Sequence, residues 1–309
     1  MSPRRPSVPA GSALRPLFSQ RGLSAFACIL ALLLLFPGQA VAADWTPLIE
    51  RLAADGFERR AVEAHFARPE ALFEPDAMAG KIAELIRSRT AETIKDAVRN
   101  DYLTRRMIAR ARAYLEENRV LLEEIQGRYG VPKEIVVSIL LIETSLGEKT
   151  GIRIVFNRLA SMALSRDLDF ISPHLKAPLL APENEAFARR RCREKADWAY
   201  DELRALLRLA DQNGLDPMAI RGSLYGAIGL CQFMPSNVFS YGVDADRDGR
   251  IDLFAKPDAL HSIANYLRGH GWQSDLDREG QQRVIFAYNH STVYANTVLA
   301  VAERLRDRK

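Results

Sequence analysis

Apolar positions along this 309-residue chain recur mainly with helical spacing, and the breaks between runs fall at glycine, proline or asparagine. The pattern opens with a continuous apolar run, Leu23 to Phe36, that stops at Pro37-Gly38. Helical spacing follows from Asp44 to Arg68, interrupted at Gly56. From Lys81 to Arg128 the chain is rich in Ala, Leu, Glu, Arg and Lys, lacks proline and has glycine only at 127, which predicts helix. Gly130 and Pro132 mark a stop and a restart. Ile135 to Ile142 is almost unbroken in its apolarity and would suit a buried strand or a buried helix. Helix is the better reading: Pro132 suits a first turn, Glu134 suits the positive end of a helix dipole, and Gly147 can end the element.

Further on, Asp167 to Pro182 holds three prolines and no clear period, and reads as a loop. Glu183 to Gln212 reads as a long helix with Leu203, Leu206, Leu207 and Ala210 on one face, ended by Asn213-Gly214. Gly222 to Pro235 is punctuated by glycine, and Asp244 to Asp252 is an acidic loop. Asp258 to Arg268 is helical, with Leu260, Ile263, Ala264 and Leu267 in register. A last helix begins near Ser291, with Val298, Val301, Ala302 and Leu305 on its inner face. The fold class is mainly α, without internal repeats or low-complexity tracts.

The first apolar run changes how the charge is read. Arg4, Arg5, Arg15 and Arg21 precede it without any acid, and Ala40-Val41-Ala42 follows as a small-residue cleavage site. Residues 1–42 are therefore expected to be a signal peptide, with the mature chain starting near Ala43; an uncleaved anchor is the alternative. The whole chain carries +4, and the leader holds four arginines, so the mature charge is 4 − 4 = 0. The basic isoelectric point thus says nothing in favour of nucleic acid. Cys192 and Cys231 survive maturation and could pair in an oxidising compartment.

Three stretches carry chemistry. Glu143 closes the apolar run, where a partly desolvated carboxyl would hold its proton, as a general acid requires. The same residue could instead be an ordinary helix-end glutamate paired with Lys149 or Arg153. In Gly222-Ser-Leu-Tyr-Gly-Ala-Ile-Gly-Leu-Cys-Gln-Phe-Met-Pro-Ser236, three glycines allow close approach of backbone to a ligand or a neighbouring helix. Ser223 and Gln232 there are neutral groups able to read sugar hydroxyls. Asp244, Asp246 and Asp248 fall at positions 1, 3 and 5 of an EF-hand-like loop, with Gly249 at the sharp turn and the Arg250 carbonyl next. Position 12 is Ala255, so the usual closing glutamate is missing, and the next carboxylate is Asp258. In Tyr288-Asn289-His290-Ser291, Ser291 reads as an N-cap, Asn289 as a cap or a substrate contact, and Tyr288 as core or a sugar-stacking face.

Taken together and in order, Tyr129-Gly-Val-Pro-Lys-Glu-Ile-Val, Ile142-Glu-Thr-Ser-Leu-Gly147, the glycine segment, the acidic loop, Asp258 to Trp272, and Tyr288-Asn289 resemble the membrane-bound lytic murein transglycosylase B family. The resemblance covers about Trp45 to Leu305. It implies a lysozyme-like helical core over 129–309 with a calcium loop at 244–258, and a helical N-terminal part over 43–128. It implies Glu143 as the single catalytic acid/base and Ser223, Gln232, Tyr288 and Asn289 as sugar contacts. It implies structural calcium held by Asp244, Asp246, Asp248, the Arg250 carbonyl and Asp258. The expected substrate is the MurNAc-GlcNAc β-1,4 bond of peptidoglycan, cleaved in the periplasm to a 1,6-anhydromuramic end by a monomer, with cell-wall remodelling complexes as partners. A hydrolytic muramidase and a non-catalytic glycan-binding calcium scaffold are the alternatives. The chain departs from the family in three places: Cys231 where a small residue is usual, Arg166 to Phe170 with a proline-rich loop in place of a Tyr-Pro-Arg-Arg-like stretch, and Thr144-Ser145-Leu146 after the glutamate.

Overall fold

The computed structural model describes residues 43–90 and 97–307, and the leader expected over 1–42 lies outside them. Gly56 divides the first helical stretch as its break suggested. It takes φ +90° between α1 (Thr46–Ala54) and α2 (Arg59–Phe66), and the Glu58 carboxylate caps α2 by accepting the N–H groups of Arg60 at 3.0 Å and Ala61 at 2.6 Å.

The helix-rich composition of 81–128 does not yield one long helix. It yields α3 (Asp76–Thr90), a 3₁₀ turn (Asn100–Tyr102), α4 (Arg105–Glu117) and α5 (Arg119–Tyr129). Short polar side chains set the ends: Thr104 Oγ1 accepts the Met107 N–H at 3.4 Å, and Asn118 Nδ2 donates to the Tyr114 carbonyl at 2.9 Å. Composition favours helix, but side chains that bond the backbone decide where it stops.

After Gly130, in the left-handed region at φ +69°, comes α6 (Lys133–Thr144). Ile135, Val136, Val137, Ile139, Leu140 and Leu141 all have no solvent exposure, so this helix is apolar on nearly every face and runs through the core. Then come β1 (Arg153–Ile154) and α7 (Val155–Leu164). The expected loop over 167–182 contains one short turn, α8 (Leu168–Ile171), and two 3₁₀ turns. The long helix α9 (Pro182–Asn213) ends at Gly214 in the left-handed region. Next come β2 (Arg221–Gly222), α10 (Pro235–Tyr241), α11 (Lys256–Gly269), α12 (Arg278–Tyr288) and α13 (Thr292–Arg306). The α12 helix had no sequence signal: only Gly280, Val284 and Ile285 of its eleven residues are buried.

Packing is set by the apolar faces. α7 lies against α9 and α13 against α6, while α11 covers α5 and α3 rests on both α7 and α9. No helix among the described residues is long and apolar enough to cross a membrane. Cys192 and Cys231 are both buried and free, so they do not pair with each other.

The two-residue β1–β2 pair sets Arg153 opposite Gly222 and launches the glycine segment. Its glycines serve chain packing. A Cβ on Gly226 (φ +93°) would lie 2.8 Å from the Leu159 side chain of α7, and one on Gly229 (φ +72°) would lie 2.5 Å from the Leu253 carbonyl oxygen. Gly229→Ala combines a left-handed backbone with a clash against main chain. It should destabilise the fold by about 2 kcal/mol or more, read as a drop in denaturation midpoint; an unchanged midpoint would mean the segment yields freely.

Candidate active site

Glu143 sits in the last turn of α6, and the backbone leaves that turn in an uncommon conformation. Ser145 and Leu146 both adopt positive φ, 54° and 68°, before Gly147 at 95°. Two non-glycine residues in the left-handed region carry local strain. Neighbours hold them there: Arg110 of α4 donates to the Ser145 carbonyl at 3.0 Å, and the Gly147 N–H is bound by the Thr144 carbonyl and hydroxyl, each at 3.1 Å. The helix therefore ends at Ser145, two residues before the glycine expected to end it.

The Glu143 carboxyl accepts a hydrogen bond from Tyr294 Oη at 2.6 Å. Burial pushes its pKa up to about 7, against the opposing pull of that bond. The carboxyl is thus half protonated near neutral pH. Lys149 and Arg153 are not its partners, so the helix-end ion pair is not what forms. The nearest acid along the chain, Glu148, is exposed and paired with Arg110 at 2.7 Å.

Tyrosines enclose this carboxyl. Tyr294 belongs to the first turn of α13, and its ring lies nearly parallel to that of Tyr288, with centroids 6.4 Å apart at 7°. Tyr288 closes α12 and donates to the Cys231 carbonyl at 2.6 Å. Tyr102, from the 3₁₀ turn, donates to the Ile142 carbonyl at 3.3 Å. Burial first, and then the charge of Glu143, raises the pKa of Tyr294 well above its ordinary value, so it remains a neutral donor. Sequence reasoning missed Tyr294 and Tyr102. A tyrosine three residues after an N-capping serine is the only local hint of the first; nothing local marks the second.

The glycine segment is tied to the same corner. Thr144 Oγ1 donates to the Leu230 carbonyl at 3.0 Å. Gln232, itself at φ 51°, donates through Nε2 to the carbonyls of Thr150 at 3.0 Å and Gly229 at 2.9 Å. Cys231 is fully buried between these contacts, and burial pushes its thiol up to about 12, so it is a neutral filler. Ser223 lies at the far end of the segment, where its Oγ accepts the Ala227 N–H at 2.9 Å and the Tyr225 N–H at 3.4 Å. Asn289 is exposed just beyond α12. Ser291 caps α13, as expected, by accepting the Tyr294 N–H at 3.2 Å. Gln232 and Tyr288 therefore stand beside the Glu143 corner, whereas no hydrogen bond among the described residues links Ser223 or Asn289 to it.

In the acidic loop the structure brings together carboxylate oxygens of Asp244, Asp246 and Asp258, all within 4.8 Å of one another. Arg247 and Gly249 turn the loop with φ of 63° and 89°. Asp258 is buried at the start of α11, and its two oxygens accept the N–H groups of Ala245 and Asp252, each at 2.8 Å. Burial raises its pKa, and the nearby Asp246 and Asp244 push the same way. Three hard oxygen donors drawn this close fit a hard divalent cation. Asp248 stands outside the trio, accepting the Arg250 N–H at 2.8 Å.

The transglycosylase SLT domain family matches residues 40–281. Membrane-bound lytic murein transglycosylase B of Escherichia coli (strain K12) is 34% identical over 144 residues, which are 47% of this chain and 33% of that protein. The chain thus matches about a third of the length of this relative. Among solved structures, the soluble lytic transglycosylase SltB1 of Pseudomonas aeruginosa superposes with a TM-score of 0.65 at 25% identity, covering 84% of this chain and 97% of that one. The Escherichia coli lytic transglycosylase Slt35, in complex with calcium, gives a TM-score of 0.65 at 21% identity, covering 86% and 93%.

The raised pKa of Glu143 has a consequence for stability. In the unfolded chain the carboxyl ionises near 4.5, and in the folded protein near 7. Folding therefore becomes less favourable as pH rises from about 4.5 to 7 and levels off above, a cost on the order of 3 kcal/mol. Glu143→Gln removes the titration. The variant should outlast the wild type in melts at pH 8 and match it at pH 4; equal melting at both would mean the carboxyl is well solvated. The main fold is that of the soluble lytic transglycosylases, and the chain belongs to the transglycosylase SLT domain family.

Proposed function

We propose that this chain is a peptidoglycan lytic transglycosylase, exported to the periplasm, that cuts the β-1,4 bond between N-acetylmuramic acid and N-acetylglucosamine. The observation that carries the reading is a carboxyl at the end of a helix buried in the core, held by the Tyr294 hydroxyl, with the nearest acid in sequence diverted to an arginine. Two-carboxylate glycosidases need a second acid as nucleophile or base. A single carboxyl suits a reaction in which the substrate supplies the nucleophile.

In this mechanism protonated Glu143 gives its proton to the glycosidic oxygen as the C1–O4 bond breaks. The carbonyl oxygen of the muramic 2-acetamido group supports the electron-poor C1. Glu143, now a carboxylate, takes the proton of the C6 hydroxyl while O6 bonds to C1 and closes the 1,6-anhydro ring. The proton is returned to Glu143 and no water is consumed. Tyr294 steadies the carboxylate form without competing for the proton. Gln232 keeps its amide oxygen for a sugar hydroxyl, and the Tyr288 ring, Ser223 and Asn289 are the further contacts proposed along the cleft. The names of the murein and lytic transglycosylase relatives support the substrate class.

Asp244, Asp246 and Asp258 would hold calcium, with Asp248 and the Arg250 carbonyl completing the shell. Bound there, the ion would neutralise crowded carboxylates and stiffen the loop, while the residues of the cleft carry the chemistry.

Mass spectrometry of digested peptidoglycan tests the reaction. Anhydro-ended fragments are expected, and Glu143→Gln should lower their release by at least about 10²-fold, the lower range for general acid catalysis. Reducing ends would instead make the protein a hydrolase, and an absence of fragments would make it a scaffold.

Thermal melts test the ion. Free calcium at about a hundred times its dissociation constant adds roughly 2.7 kcal/mol, so chelator should lower the midpoint by several degrees and Asp246→Ala should shrink the difference. A midpoint indifferent to chelator would leave an ordinary acidic turn.

A further inference from the structure

We infer that Arg158 is a positioning residue for the glycan cleft, anchoring the turn at Leu224 to the chain segment that leads into α3. The inference rests on the proposed function, in which the glycine segment lines that cleft.

Arg158 lies on α7 with no exposed surface. Its guanidinium grips two separate parts of the chain. Nη1 donates to Glu74 Oε2 at 2.7 Å and to both Asp76 oxygens at 2.9 Å, while Nε donates to the Leu224 carbonyl at 2.7 Å. The guanidinium is rigid and planar, so with Nη1 on the acids and Nε on Leu224 it spans a fixed distance between the two, while Nη2 has no partner among the described residues. The position of the Leu224 peptide is thereby referred to Glu74 and Asp76.

The backbone that carries the acids is itself tied to α7, although the Asp76 side chain is 59% exposed. On the same helix, Ser161 Oγ accepts the Glu74 N–H at 2.8 Å and Asn157 Nδ2 donates to the Glu70 carbonyl at 2.8 Å. Segment 70–76 is thus bound to α7 by three buried polar side chains.

On the other side of the bond lies the turn of the glycine segment. Leu224 is 42% exposed although its carbonyl is held from beneath. Ser223 flanks it and accepts the N–H groups of Tyr225 and Ala227. The Lys81 ammonium of α3 sits 4.6 Å from the Tyr225 ring centroid, so α3 holds the turn at a second point. Gln232, at the other end of the segment, has its own ties to Thr150 and Gly229; the Ser223 end has Arg158. A partner for the two acids alone would need no contact with Leu224. Burying a full positive charge is costly, and here it links the far end of the segment to a part of the chain more than 140 residues away.

The test uses the full chain with Arg158→Lys and Arg158→Met. It measures melting, kcat and KM on peptidoglycan, and amide hydrogen exchange at 223–227. Misplaced binding groups weaken ground state and transition state alike, so KM should rise about 10–100-fold with kcat changed by less than about threefold. The Tyr225 and Ala227 amides should exchange faster at a temperature where the variant is fully folded. Loss of melting temperature alone, with KM near the wild-type value or exchange unchanged, would make Arg158 a merely structural residue. If neither variant folds, Glu74→Gln with Asp76→Asn keeps the arginine and carries the same expectations. A wild-type chain that cleaves no glycan would overturn the reading of the cleft and the positioning role with it. A cleaving wild type beside an unaltered variant would overturn the inference alone.

Discussion

Burial of α6 on almost every face is the constraint on which the site depends. A helix apolar enough to run through the core carries whatever stands in its last turn to the edge of that core. Glu143 stands there, and its carboxylate form loses water it cannot replace. Desolvation alone would hold the proton too tightly for return and release. The Tyr294 hydroxyl at 2.6 Å favours the charged form and pulls in the other direction. A pKa near neutrality is the difference between these two effects, and both have to be built into the fold. Tyr294 can do this because its own ionisation is disfavoured by burial and by the carboxylate it serves.

The backbone around this carboxyl is as constrained as the side chains. Ser145, Leu146 and Gln232 are non-glycine residues with positive φ, and all three lie on the two chain segments that meet beside Glu143. Such conformations each cost on the order of 1–3 kcal/mol and persist only when their surroundings overdetermine them. The surroundings do so here. Arg110 holds the Ser145 carbonyl, Thr144 bridges to Leu230, and Gln232 bridges to Thr150. Gln232, read from the sequence as a sugar contact, thus also spends its amide N–H groups inside the protein, and only its oxygen remains to face a ligand.

The elements legible in the sequence were those written in local periodicity. The buried run of α6, the long amphipathic α9 and the capped α13 follow from apolar spacing and from Ser291. The carboxyl at the end of an apolar run was legible for the same reason, since burial and pKa are linked whatever lies nearby. The glycines of the segment were visible as well, but not their use: Gly226 and Gly229 make room for Leu159 and Leu253, which arrive from elsewhere in the chain. Composition gave the helical character of 81–128 but not its breaks, where Thr104 and Asn118 bond the backbone and cut the run into pieces. Tyr294 and Tyr102 were invisible because they reach Glu143 and its neighbour from 151 and 40 residues away. Only the packing of α13 on α6, and of the 3₁₀ turn beside it, brings them in.

The acidic loop, remote from Glu143 in sequence, is connected to it by a short run of hydrogen bonds. Asp258 accepts the N–H of Asp252, which precedes Leu253. The Leu253 carbonyl accepts the Leu230 N–H at 2.8 Å, and the Leu230 carbonyl accepts the Thr144 hydroxyl, one residue from Glu143. Gly229 is obliged to lack a side chain because this same Leu253 backbone presses on it. Whatever orders the carboxylates of the loop therefore also orders the peptide on which the end of α6 rests. The route passes through main-chain bonds of a packed core, so what it transmits is position. A cation in the loop would narrow the range of places the Glu143 carboxyl can occupy.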